Sequence, residues 1–162
     1  DTSKVTDMSY MLQQCTDLES IDLGIFNTGN VEDMSYMFSG CKTIKSLNLK
    51  SFDTSNVKEM PYMFQLCSNL ESLDISSFDV QNVNSFQYMF VNTPKLKSLD
   101  LSKWEISSVN NIESIFEGCK NLETLTLGHN QNEIITYATK AFKNCEKLTS
   151  LDLSKINWLK KI

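Results

Sequence analysis

Residues 53–78 read DTSNVKEMPYMFQLCSNLESLDISSF, and two periods are visible inside them. In Leu70-Glu71-Ser72-Leu73-Asp74-Ile75 the apolar residues fall at 70, 73 and 75, and the closing alternation is that of a half-buried strand. Upstream, Met63, Phe64 and Cys67 form a short stripe at helical spacing. Proline suits the first helical position, where a missing N–H costs nothing, so Pro61 predicts about two helical turns starting there. A longer helix capped at Asn56, with Glu59 closing a capping box, fits the same residues, but Pro61 favours the shorter one. Asp53-Thr54-Ser55-Asn56 is turn chemistry, and Val57 and Met60 are expected to point inward behind it.

The same unit recurs on both sides at a constant step. Cys15, Cys41, Cys67, Cys119 and Cys145 share one position, with Thr93 filling the skipped one. Phe38, Phe64, Phe90, Phe116 and Phe142 keep that step, with Leu12 ahead of them, as do Val5, Val31, Val57, Val83, Val109 and Ile135. The chain divides into six copies, 1–26, 27–52, 53–78, 79–104, 105–130 and 131–156, with 157–162 as a tail or partial cap. A fixed period of this size means a solenoid in which each copy is one turn. The fold expected is an α/β repeat solenoid. Its one parallel sheet of about six short strands spans about 24 Å at the usual strand spacing, with short helices on the opposite side.

The recurring L-x-x-L-x-L segment resembles leucine-rich repeats, except that the position usually held by Asn or Cys carries Phe26, Phe52, Phe78, Trp104, Asn130 and Ile156. The whole unit, FDTSNVxxMxYMFxxCxxLxSLDLSxF, is similar to the BspA-like leucine-rich repeats of bacterial surface proteins. That resemblance implies an extracellular or cell-surface protein with an adhesive role, its signal and anchor outside this segment. Departures gather late. Gly128-His129-Asn130-Gln131-Asn132 breaks the pattern, and Ala138 and Ala141 replace larger residues. No cap precedes Val5, so the array is expected to continue upstream or to sit against another domain.

Composition narrows the chemistry. Over 162 residues the net charge is −5, and all fifteen basic side chains are lysine. Without a basic face or arginine forks, nucleic acid is not an expected partner. No apolar run approaches the ~18 residues of a membrane span, so this segment is not expected to insert. One histidine and no glycine-rich phosphate loop leave no catalytic residues and no cofactor to assign, and the chain is not expected to be an enzyme. An exception would need a localised polar pocket, most plausibly at residues 128–133.

Three features remain as candidates. The cysteines fall on the inward stripe and read as a buried column of free thiols rather than a zinc site. The strand face pointing away from the core carries Ser46, Ser72 and Ser98, then Asn48, Asp74 and Asp100: flat, small and hydrogen-bonding. Asp74 and Asp100 sit one turn apart, too few oxygens for a calcium site, so no metal is assigned. Tyr10, Tyr36, Tyr62 and Tyr88 share a position that helical geometry turns about 145° from the core stripe, giving a ladder on the convex side. Stacking between turns accounts for such a ladder, and so does a contact strip for a partner. The reading is a monomeric, non-catalytic module binding a protein or glycan on a host or neighbouring-cell surface. The alternative is a spacer holding another domain away from the surface.

Overall fold

A computed structural model of the chain describes residues 1–130 and 135–156. Among the described residues four strands are formed: β1 Ser46–Asn48, β2 Ser72–Asp74, β3 Ser98–Asp100 and β4 Thr124–Thr126. β1 pairs in parallel with β2 and β3 with β4, and every partner pair is one repeat apart, as in Ser46 with Ser72 and Ser98 with Thr124. The expected single sheet of about six strands is therefore corrected to two two-stranded sheets. β1, β2 and β3 end on Asn48, Asp74 and Asp100, whose side chains fold the chain straight into a turn, Asp74 Oδ1 accepting from the Ser76 N–H at 3.2 Å.

The expected helices are also corrected: among the described residues there is no helix. Alternate N–H groups instead cross to the next turn. Tyr62 donates to the Gln87 carbonyl at 3.1 Å, Phe64 to Met89 at 2.9 Å and Leu66 to Val91 at 2.8 Å, while Gln65 and Cys67 close tight turns onto Tyr62 and Phe64. Each turn carries a pair of left-handed residues four positions apart, here Tyr62 at φ 61° and Leu66 at φ 59°, and such residues stop an α-helix from propagating. The inter-turn hydrogen bonds repay that local strain. Pro61 fits for a different reason than helix initiation. In other turns the N–H at its position goes only to a side chain two residues back, as Ser35 does to Asp33 Oδ1 at 2.7 Å, so a residue without a donor is tolerated.

Bridges from Asp7 through Asp33, Glu59, Ser85 and Asn111 to Tyr137 start this second, convex ladder. At the corners, Thr28 Oγ1 donates to the Asp53 carbonyl at 2.9 Å and accepts its N–H at 2.8 Å, and Asn56 Nδ2 donates to the Gly29 carbonyl at 2.7 Å. Between the two sides runs one apolar core of stacked columns. Phe38, Phe64, Phe90, Phe116 and Phe142 stack at 5.3–5.8 Å between centroids, and Val57, Met60, Met63 and Leu70 are fully buried beside them. Phe52, Phe78 and Trp104 form a second buried aromatic column, with Trp104 Nε1 donating to the Ile75 carbonyl at 3.1 Å.

The candidate contact faces

On the sheet side, alternation within each strand turns Leu47, Leu73, Leu99 and Leu125 toward the core and leaves Ser46, Ser72, Ser98 and Thr124 exposed. Asn48, Asp74, Asp100 and Thr126 are exposed beside them. The structure thus brings the sheet-face residues singled out above into aligned columns on one surface. The carboxylates on it have a structural task. Asp74 and Asp100 accept from Ser76 and Ser102, and these hydrogen bonds hold both carboxyl groups below the usual aspartate range. Among the described residues no three His, Cys, Asp or Glu side chains are grouped to hold a metal ion.

One column on this face was not singled out from sequence. Glu19, Lys45, Glu71, Lys97 and Glu123 alternate in sign through five successive turns, one position ahead of the serines, and all five are exposed. A surface depression lined by Glu19, Ser20, Lys45 and Ser46 places them on the same face as the serine column. Elsewhere the chain pairs charges between turns, as in Lys58–Glu32 at 2.7 Å and Lys143–Glu117 at 3.0 Å. Within this column no neighbouring members pair; only Glu123 has a partner, Lys147 at 3.8 Å. The signal was readable in the sequence as E-K-E-K-E at the repeat step.

On the convex side the four tyrosines do form the expected ladder. Their rings stack at 4.7, 4.3 and 4.8 Å between centroids and within 10° of parallel. Stacking covers the faces of Tyr36 and Tyr62 on both sides, so the strip offers ring edges and hydroxyls. Tyr10 is 53% exposed, and Tyr88 donates to Glu113 Oε1 at 3.0 Å. Desolvation by the stack, with the neighbouring Tyr62 phenol, pushes Tyr36 up to about 12. Ser114 and Lys140 keep the left-handed backbone at the same position, so the conformation belongs to the turn and not to tyrosine.

The cysteines are all free; Cys41, Cys67 and Cys119 are buried and Cys15 and Cys145 half-buried. Each of the last four donates to a carbonyl of the preceding turn, Cys67 to Phe38 at 3.1 Å, and Thr93 continues the column with its hydroxyl 3.2 Å from Cys119 Sγ. His129 has a neighbour that sequence did not supply, Glu105 at 3.6 Å. Of residues 128–133, around which a polar pocket was considered, 131–133 lie outside the described residues.

A family model described as a Mycoplasma protein of unknown function, DUF285, matches residues 1–46 and 40–158. The chain belongs to the DUF285 family. Among solved structures, this DUF285 chain is similar to a leucine-rich repeat protein from Eubacterium ventriosum, with 21% identity and a TM-score of 0.50 over 76% of this chain and 37% of that one. A leucine-rich repeat protein of T. pallidum matches at 19% identity and a TM-score of 0.45, over 75% of this chain and 62% of that one. The DUF285 chain thus spans less than two thirds of either protein. No curated protein sequence matches it. The family match, the first likeness and the parallel one-repeat register identify a repeat protein of leucine-rich-repeat type.

Proposed function

We propose that this chain is a non-catalytic binding module of a bacterial cell-surface protein, of the BspA-like kind, that contacts a protein or glycan on a host or neighbouring cell through its sheet face. The observation that carries the reading is the alignment of exposed Ser, Asn/Asp and Glu/Lys side chains in consecutive turns. Each turn repeats the same small polar contact at a fixed rise, so individually weak contacts add along a rigid surface. The convex ladder is a weaker candidate, since its rings are stacked against one another and have few faces left for a sugar. The spacer reading draws on that same rigidity, with every turn hydrogen-bonded to the next along the convex side.

Binding of the chain to an array of extracellular-matrix proteins and glycans separates these readings. Saturable binding is expected, weakened at least about tenfold by Ser72→Arg with Ser98→Arg, which add bulk to the face without touching the core. A folded variant with Tyr10, Tyr36, Tyr62 and Tyr88 changed to Ser is expected to keep binding. Loss confined to the tyrosine variant would move the contact to the convex strip. Absence of any saturable binding would favour the spacer.

A further inference from the structure

We infer that the sheet face docks a second copy of this chain, antiparallel to the first, through the alternating Glu19, Lys45, Glu71, Lys97 column. The inference rests on the reading of this face as the contact face, and it names a partner for it. An isologous pair must present the same patch twice, so the sequence of charges has to complement its own reversal. Consider a two-fold axis lying in the interface and parallel to the strands, which sets the column against itself in reverse order. If the axis passes through a turn, like charges meet. If it passes between the second and third turns, Glu19 faces Lys97 and Lys45 faces Glu71, each pair occurring twice. Opposite charges also meet when the axis passes between the third and fourth turns, Lys45 facing Glu123 and Glu71 facing Lys97. Alternation in sign is what makes the column self-complementary, and a column of one sign would forbid the pairing.

Two further observations favour this occupant. The members of the column do not neutralise one another within the chain, although neighbouring turns bring opposite charges side by side, and of the five only Glu123 has an ion-pair partner, Lys147. The rest of the face is mostly Ser, Thr, Asn and Asp; its one long side chain, Lys50, lies along the face with its ammonium 3.9 Å from Asp74. In the register centred between the second and third turns Asp22 meets Asp100, the one unfavourable pairing of charge. Rim-like charge contacts of this kind set register and respond to salt more than they give tight affinity. The pair is therefore a weak, salt-sensitive one, matched to molecules crowded on a surface. The monomer expected from sequence is the dilute, high-salt state.

Sedimentation velocity of the whole chain at up to about 1 mM, the range of weak encounters, tests this. At low ionic strength, where the Debye length is about 30 Å, dimer is expected, dissociating near 1 M salt, where it is about 3 Å. Lys45→Glu with Lys97→Glu makes the column wholly acidic, and Glu19→Lys with Glu71→Lys makes it almost wholly basic. Each variant alone should remain monomeric, and an equimolar mixture should associate again. Asp100→Asn should tighten the wild-type pair several-fold. A monomeric wild type at low salt, a single-sign variant that dimerises as well as wild type, or a mixture that does not associate would each overturn the inference. If the chain is monomeric yet still binds the matrix array in a manner lost with Ser72→Arg and Ser98→Arg, self-docking fails while the contact face stands. Array binding indifferent to those changes removes the face reading itself.

Discussion

Phe64→Ala is expected to lower the unfolding free energy by about 3–5 kcal/mol, the range for deleting a buried aromatic ring. Phe64 is fully buried and stacks between Phe38 and Phe90 at 5.6 and 5.4 Å. The substitution forfeits its own burial and leaves a gap between two turns. In a solenoid each turn is stabilised only by its neighbours, so a gap in the third turn also uncouples the second from the fourth. Tyr62→Ala, on the half-exposed ladder, should cost less because part of its surface already meets solvent. Urea unfolding followed by far-ultraviolet circular dichroism measures both. Equal midpoints for Phe64→Ala and wild type would mean that the phenylalanine column does not form the core.

Alkaline pH should destabilise the fold through the thiol column. Burial pushes Cys67 and Cys119 up to about 12 and Cys41 to about 11, from an ordinary 9.0. Between pH 9 and 12 the unfolded chain has released these protons and the folded one has not, so the folded state binds more protons and stability falls as pH rises. The contribution is fully present below pH 9. By pH 11 the loss is about 2–3 kcal/mol for each of the two most buried thiols, as an order of magnitude. Cys119→Thr, for which Thr93 is the precedent in the same column, should flatten the fall. Under reducing conditions the urea midpoint is expected to drop steeply from pH 8.5 to 11, and Cys67 should react with a thiol reagent only on unfolding. A flat midpoint, with rapid labelling of native protein, would place the thiols at the surface.

The repeat, its step and the inward columns were legible because burial recurs at fixed positions: Val57, Phe64, Cys67 and Leu70 all lie in the core. The convex backbone was not legible. Met63, Phe64 and Cys67 share a spacing with one face of a helix, and nothing in side-chain type announces a left-handed Tyr62 or Leu66. Those conformations are held by hydrogen bonds to the next turn, a tertiary cause that a single copy read alone does not contain. Pro61 compounded the misreading, because a position that needs no N–H looks the same at a helix start and in a turn closed by a side chain. The tyrosine ladder was still placed on the correct side, since a residue next to an inward one points outward in either geometry. On the sheet face the serine and Asn/Asp columns could be read from strand alternation. The Glu/Lys column was overlooked because its members differ in sign from copy to copy, whereas a search for repeats rewards identity.

Every face described depends on the two inter-turn ladders keeping both sides of the solenoid in one register. Trans-hydrogen-bond NMR couplings between amide nitrogen and carbonyl carbon test that most directly on the convex side. The Phe64 nitrogen should couple to the Met89 carbonyl, one turn along, across the 2.9 Å hydrogen bond. A coupling from Phe64 to the carbonyl of Met60 would instead show a helix, and would remove the convex ladder from the fold.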